Sequence, residues 1–300
     1  MTEERQVATN GQTRETFASR ESAVLLITCP DQRGLVASVS ALLYETGANI
    51  IHADQHQDHD EGLFFMRVEW LLEGFDLDGF RTAFTPLAAR FKMDWKLRLS
   101  HEKPRVVIFV SQYLHCLSDL LYRNQMGELA CEIVMIVSNH KDGEALARFY
   151  EIPFHYIPAT AECREAAETQ QLALLEKAGV ELIVLARYMQ ILTARFVERY
   201  PLAVINVHHS FLPAFIGARP YHAAFRRGVK LIGATSHYVT ATLDEGPIIE
   251  QDVARISHRE EVHDLITRGR DLERVVLSRA VKWHIDGRIV SYRNKTVIFD

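Results

Sequence analysis

The densest run of chemically capable side chains is Ile205-Asn206-Val207-His208-His209-Ser210-Phe211-Leu212-Pro213, which follows a short apolar stretch and leads toward Gly217 and Pro220. A second cluster, Gly233-Ala234-Thr235-Ser236-His237-Tyr238-Val239, precedes Leu243-Asp244-Glu245-Gly246-Pro247-Ile248-Ile249, where the Gly-Pro pair forces a tight turn beside a carboxylate. An amide such as Asn206 can donate to a developing oxyanion. An imidazole such as His208 can shuttle a proton near neutral pH, and a carboxylate such as Asp244 can orient that imidazole and polarise water. Asn206, His208 and Asp244 are therefore the candidate catalytic residues.

Taken singly, each has a bland alternative, because an Asn at a strand end often serves a turn and a lone His is often a satisfied structural one. His209 reads as structural, since in a continuing strand its side chain points away from that of His208. His237 stands open between site and core. A metal-hydrolase reading would recruit His208, His209, His237 and Asp244, but there is no HExxH or comparable ligand spacing, so no metal is expected. Cys116 precedes the helical Leu117-Ser118-Asp119-Leu120-Leu121 and has no identifiable base, which favours packing or capping over nucleophilic chemistry.

Such groups need a frame to hold them. After a short polar linker, His101-Glu102-Lys103-Pro104, apolar runs at Arg105–Val110, Ile133–Val137, Leu182–Leu185 and Ala203–Ile205 alternate with helical segments, the composition of buried parallel strands. An open, mostly parallel α/β sheet results, and ligands of such sheets sit beyond the carboxyl ends of the strands, here after 185 and after 205. Val262, Leu265, Leu272, Val276, Ala280 and Trp283 mark a long amphipathic helix, and Arg288 to Asp300 reads as a terminal strand pair.

Upstream, Ala23–Thr28 is a buried-strand candidate, and Leu35, Val39, Leu42 and Leu43 recur at helical spacing before a stop at Gly47. A second strand starts at Asn49. The turn Asp58-His59-Asp60-Glu61-Gly62 leads to Phe64, Met66, Val68 and Trp70, which alternate with Phe65, Arg67 and Glu69 as in a half-buried strand. Phe80, Phe84, Leu87, Ala88 and Phe91 form a helical face, and Trp95, Leu97 and Leu99 alternate after it. The order β-α-β-β-α-β over residues 22–100 is a ferredoxin-like split βαβ unit, two helices on one face of a four-stranded antiparallel sheet.

The 300 residues allow two domains, 48% hydrophobic residues are a globular composition, and a net charge of −5 offers no electrostatic reason to approach nucleic acid or an anionic membrane. Four cysteines without CxxC spacing read as reduced thiols, which points to the cytoplasm. Residues 1–21 lack an apolar signal segment and read as a flexible tail, and no stretch is apolar for long enough to span a bilayer. The expected division is a tail at 1–21, a small domain at 22–100, a linker at 101–104 and a larger domain at 105–300.

Residues 22–100 resemble an ACT domain, with Asp31-Gln32-Arg33-Gly34-Leu35 at the first strand-to-helix turn. The resemblance implies a regulatory unit that binds a small amino-acid effector through Asp31, Arg33 and Gly34, and pairing into a homo-oligomer. Against this, Asp31 can simply cap the helix while Gly34 relaxes the turn. Asn206-Val207-His208 joined to Leu243–Ile249 resembles the active-site signature of folate-dependent formyltransferases, whose asparagine, histidine and aspartate match Asn206, His208 and Asp244. Leu185–Leu192 is similar to the segment that holds the pterin ring, which implies a folate pocket lined by Met189, Gln190, Ile191 and Leu192, with Val239 and Thr240 opposite.

An ACT unit together with the doubled His208-His209 and the stretch Phe211 to His222 is closer still to the formyltetrahydrofolate deformylases. That resemblance implies water attack on the formyl carbon at N10 of 10-formyltetrahydrofolate. Asn206 and protonated His208 would stabilise the oxyanion, Asp244 would hold His208 and the water, and N10 would be protonated through His208 or through a water on Asp244. The folate is substrate, and no metal or redox cofactor is implied.

Three alternatives share parts of the pattern: glycinamide ribonucleotide formyl transfer, tRNA formyl transfer, which needs a basic nucleic-acid surface that a net charge of −5 does not support, and a catalytically idle binding regulator. In the related transformylases a glycine-rich loop after the first strand of this domain holds the acceptor's phosphate. Here Ser111-Gln112-Tyr113-Leu114-His115-Cys116-Leu117-Ser118 stands in its place without a glycine, so water is the expected acceptor unless His115 or Ser118 binds a phosphate through its side chain.

Overall fold

The computed structural model describes residues 21–160, 163–214 and 220–300. Residues 1–20 of the expected tail and residues 215–219 of the Phe211 to His222 stretch lie outside these. Alternating apolar residues build the first sheet from β1 (Ser22–Pro30), α1 (Leu35–Glu45), β2 (Asn49–Asp58), β3 (Leu63–Leu71), α2 (Leu77–Phe91) and β4 (Asp94–Leu99), with the strands in the order β2-β3-β1-β4. β1 lies antiparallel to β3 and β4, so that Leu25 faces both Val68 and Leu97. One side of the sheet meets the helices through Leu25, Ile27, Met66 and Trp70 against Leu35, Val39, Phe80 and Phe84. α1 ends where Gly47 takes φ 83°, and α2 begins at Asp76, whose carboxylate accepts the Gly79 N–H at 3.0 Å.

From Arg105 the period changes from 2 to strand-helix alternation. The elements are β5 (Arg105–Val110), α3 (His115–Gln125), β6 (Glu132–Ser138), α4 (Glu144–Phe149), β7 (Phe154–Tyr156), α5 (Arg164–Lys177), β8 (Leu182–Ala186), α6 (Ala194–Glu198), β9 (Val204–His208), α7 (Pro220–Arg227), β10 (Leu231–Tyr238), β11 (Ile248–Arg255) and α8 (Val262–Ile285), followed by the hairpin β12 (Ile289–Tyr292) and β13 (Lys295–Ile298). The larger sheet runs β11-β10-β9-β8-β5-β6-β7. Its five strands from β9 to β7 are parallel, whereas β10 and β11 are antiparallel additions. α8 starts with a reciprocal capping box between Glu261 and Asp264 and buries Leu277, Ala280, Val281 and Ile285 against the sheet. No described helix is long and apolar enough to cross a membrane.

β3 departs from the half-buried strand that its alternation predicts. Phe65 and Arg67, on the side away from the helices, are also buried. The reason is tertiary: Val24, Leu26 and Phe65 pack against Val290, Val297 and Phe299 of the C-terminal segment, which covers the second face of the small sheet. Arg67 is accommodated there by the Gly287 carbonyl at 3.2 Å and by Glu69 at 2.8 Å.

Candidate active site

The site begins at the junction between the parallel strands and the antiparallel β10. Asn206 and His208 do not follow the strand, as the apolar run alone suggests, but form its last residues. β10 pairs with β9 beyond Ile205, setting Asn206 opposite His237 and His208 opposite Thr235. The neighbouring backbone thus supplies ladder partners where the apolar run stops. Two residues apart on a strand, Asn206 and His208 face the same side.

The loop after β10 returns Asp244 to that side. Tyr238 N–H donates to the Pro247 carbonyl at 2.9 Å, and a Cβ on Gly246 would stand 1.7 Å from the Tyr238 oxygen, so only glycine lets the loop close this tightly. Asp244 takes φ 56°, a left-handed conformation rare outside glycine. Its Oδ2 then lies 3.3 Å from His208 Nδ1 and its Oδ1 3.7 Å from His237 Nε2. Contact with His208 holds the Asp244 carboxyl below the usual carboxylate range despite partial burial.

His237 belongs to the site. Its Nδ1–H donates to the Tyr238 carbonyl at 2.9 Å, and burial pushes its pKa down, so Nε2 is a lone-pair acceptor for the Asn206 Nδ2–H at 3.2 Å. The Asn206 amide is thereby fixed in one orientation, with a second Nδ2–H left over. His209 also differs from expectation. β9 ends at His208, the pleat does not continue, and the His209 ring stacks on that of His208 with centroids 5.1 Å apart. Burial, reinforced by the charge of Arg187, pushes His209 down to about 4, so it is neutral near pH 7.

Asn206, His208, His237 and Asp244 line a cleft of about 320 Å³ together with Met189, Gln190, Ile191, Leu192, Val239 and Thr240. The structure therefore gathers every residue assigned to catalysis or folate contact around one space. Ser111, at the end of β5, holds one wall: its Oγ accepts the Met189 N–H at 3.0 Å and donates to Asn139 Oδ1 at 2.7 Å. Glu168 on α5 holds the end of the same segment, accepting the Thr193 N–H at 2.8 Å and the Thr193 hydroxyl.

Behind the imidazoles lies a buried polar group that sequence reasoning missed. Glu273, on the inner face of α8, accepts from His115 Nε2 and from the Tyr221 hydroxyl, each at 2.7 Å, and Arg187 Nε stands 3.4 Å from its Oε2. Burial raises the Glu273 pKa, but the His115 hydrogen bond, the Arg187 charge and the Tyr221 hydroxyl outweigh it and hold the carboxyl low. The approach of Tyr221 requires Gly269, where a Cβ would come within 2.1 Å of the hydroxyl. An acidic residue recurring among the apolar positions of a helix, as Glu273 does beside Leu272 and Val276, was the available signal. Among the described residues, His115, Cys116 and Glu273 are near enough together to hold a metal ion, rather than His208, His209, His237 and Asp244. Yet Glu273 is already hydrogen-bonded on both oxygens, and burial raises the Cys116 thiol well above its ordinary pKa, which keeps it protonated.

In the small domain, Asp31 and Gly34 line an open hollow with Gln55, His56 and Gln57, whereas Arg33 is exposed outside that lining. Asp31 accepts from Gln57 Nε2 and does not cap α1, whose N-cap is Gly34 with φ 88° and without a side-chain cap.

Residues 104–281 match the formyl transferase family model and residues 23–75 the ACT domain model. A formyltetrahydrofolate deformylase of Synechocystis sp. is 53% identical over 280 residues, which cover 93% of this chain and 98% of the relative. The crystal structure of a formyltetrahydrofolate deformylase from Pseudomonas syringae pv. tomato superposes with a TM-score of 0.92 at 46% identity, over 95% of this chain and 96% of that chain. Glycinamide ribonucleotide transformylase 1 from Symbiobacterium toebii is more distant, with a TM-score of 0.63 at 30% identity over 67% of this chain and 95% of that chain. With both domains matched and relatives alike over nearly their whole length, the chain belongs to the formyltetrahydrofolate deformylase family.

Proposed function

We propose that the chain hydrolyses 10-formyltetrahydrofolate to formate and tetrahydrofolate, with Asn206, His208 and Asp244 as catalytic residues. The observation that carries this reading is the convergence of a fixed amide, an imidazole and an ionised carboxylate on one cleft whose opposite wall is the Met189–Leu192 segment. The Asn206 Nδ2–H not bonded to His237 and protonated His208 stabilise the oxyanion as water adds to the formyl carbon. Asp244 orients the water and holds His208 through Nδ1, which leaves Nε2 to deliver a proton to N10. The pterin lies against the main chain of Met189, Gln190, Ile191 and Leu192, with Val239 and Thr240 across from it. The reaction draws on these groups without a resident metal or redox cofactor.

Water is the acceptor. Of His115 and Ser118, the side chains that could take a phosphate near the start of α3, His115 is bonded to Glu273, and no glycine among residues 111–118 lets the backbone approach one closely. The test supplies 10-formyltetrahydrofolate with and without glycinamide ribonucleotide while formate and formylated amine are both followed. Formate equal to the tetrahydrofolate formed, indifferent to the amine, supports hydrolysis; formyl groups accumulating on the amine refute it.

Residues 22–100 act as the regulatory unit, 101–104 as the linker and 105–300 as the catalytic unit. A small amino acid is the proposed effector at the hollow beside Asp31 and Gly34. The chain works in the cytoplasm as a homo-oligomer, a state favoured by β2, an edge strand with Ile50 and Ile51 exposed. Nucleic acid and membrane are not partners, in keeping with the net charge of −5.

A further inference from the structure

Arg187 follows β8 and lines the same cleft as Asn206, His208, His209 and Asp244. Its side chain is only 10% exposed. Its Nε and Nη1 are buried and find no hydrogen-bond partner among the described residues, and the same holds for His208 Nε2. A buried guanidinium with idle donors is costly, and such groups in a folded protein call for an explanation. Glu273 supplies a nearby counter-charge without satisfying those donors, because its oxygens are hydrogen-bonded to His115 and Tyr221. The guanidinium is steadied from one side by the Tyr113 ring, 5.5 Å from carbon to centroid. Its backbone takes φ 62°, the left-handed conformation also found at Asp244. Two strained residues thus aim opposite charges into one cleft.

Two formyl acceptors would leave different products here. Transfer to an amine yields another neutral formamide, but transfer to water yields a carboxylate. In hydrolysis the water oxygen bonds to the formyl carbon, and the C–N10 bond breaks with its electron pair going to N10, which gains a proton. The second proton leaves through His208 to solvent, and formate carries the negative charge. Next to the Asp244 carboxylate that charge is repelled, whereas a planar guanidinium fork matches a carboxylate in geometry and charge.

We propose that Arg187 forms a small-anion subsite in the catalytic cleft, which receives the carboxylate oxygens of formate as the C–N10 bond breaks. This rests on the hydrolase reading above and identifies the group that handles the second product. Arg187 touches the reacting atoms in this scheme, and His208 Nε2 shares the anion with it. The sequence alone did not reveal this role, because Arg187 lies within the Leu185–Leu192 segment read as holding the pterin ring and looks like one more residue of that loop.

The test uses the full chain. Arg187→Gly removes the side chain at a backbone conformation native to glycine, so the fold is retained, and Arg187→Lys keeps the charge but loses the fork. Sodium formate serves as product inhibitor in steady-state hydrolysis, and ¹³C-formate binding to the folate-free protein is followed by saturation-transfer NMR. Formate should bind the wild type. In Arg187→Gly the formate inhibition constant should rise about tenfold or more and kcat should fall by a similar factor, while KM for the folate moves less than about threefold, and Arg187→Lys should lie between. Unchanged formate inhibition and kcat in Arg187→Gly would overturn the subsite, as would a variant that only lowers the melting temperature, which marks a structural partner of Glu273. A wild type that binds formate in the NMR experiment yet releases none from 10-formyltetrahydrofolate would leave the subsite standing and refute the hydrolase reading instead.

Discussion

At the residue scale, the proposed catalysis depends on side chains whose orientation is set before substrate arrives. Neutral His237 accepts from Asn206 and so fixes the amide, while Asp244 fixes the His208 tautomer. Asn206→Ala, His208→Ala and Asp244→Ala should each fold and lower kcat by on the order of 100-fold, read as formate release, and near-native turnover in His208→Ala would refute the mechanism. Gly246 matters for a different reason. Its missing side chain lets the Asp244 loop close on the Tyr238 carbonyl, where a Cβ would be 1.7 Å away. Gly246→Ala must displace the carboxylate from His208, so kcat should drop by about tenfold or more as for any misplaced catalytic group, with Leu243 and the pterin wall left in place. A variant with unchanged kcat would show that the loop position is not needed.

At the scale of elements, the end of β9 and the last turn of α8 each bury a histidine in its neutral form. His209 is pushed down to about 4 by burial and by Arg187, and His284 to about 3 by burial and by Arg98, with its Nδ1 accepting from the Tyr238 hydroxyl at 2.8 Å. Both folded pKa values lie below the unfolded value of about 6.5, so the unfolded state binds the extra protons. Their contribution is complete above pH 6.5 and is lost as the pH falls toward 4 and then 3. Between pH 6 and 4 the unfolding free energy should fall by about 1.4 kcal/mol per pH unit for each histidine. Asp244 and Glu273, held low in the folded state, add to the loss as the solution becomes more acidic. Urea titrations at pH 7.5, 6 and 4.5 check the slope, and a stability that is flat across this range would contradict it.

At the scale of the whole molecule, the C-terminal hairpin joins the two domains. Val290, Val297 and Phe299 cover the open face of the small sheet, and Tyr292 donates to Asp58 at 2.8 Å. The same hairpin reaches the catalytic loop, with Asn294 Nδ2 donating to the Glu245 carbonyl at 2.9 Å and Thr296 Oγ1 to the Ile248 carbonyl at 2.6 Å. One short element thus touches both the small sheet and the loop that carries Asp244. Phe299→Ala, which empties a buried site at that junction, should cost about 3–5 kcal/mol. In calorimetry both domains should lose stability together, and a small domain that melts as before would mean that the hairpin does not stabilise it.

Much of this protein was legible before folding. The β-α-β-β-α-β order and the later strand-helix alternation follow from apolar periods of 2 and 3.6 and from short continuous apolar runs, which are local properties of the chain. The Asn206, His208 and Asp244 set was visible through its resemblance to the active-site signature of folate-dependent formyltransferases, with Asn206 and His208 placed just after the apolar run Ala203–Ile205. Other features were decided only by contacts between distant segments. β9 extends to His208 because β10 lies beside it, and the same boundary turns His209 onto His208, reversing the orientation that simple alternation implies. His237 enters the site through its register with Asn206. β3 is buried on both faces because residues about two hundred positions later fold back over it. Arg187 and Glu273 gain their meaning from burial together, since whether a guanidinium has idle donors depends on every neighbour that could accept from them. Periodicity decided which elements form, because it acts along the chain. Side-chain direction and hydrogen-bond supply were decided by tertiary structure, because they are set across it.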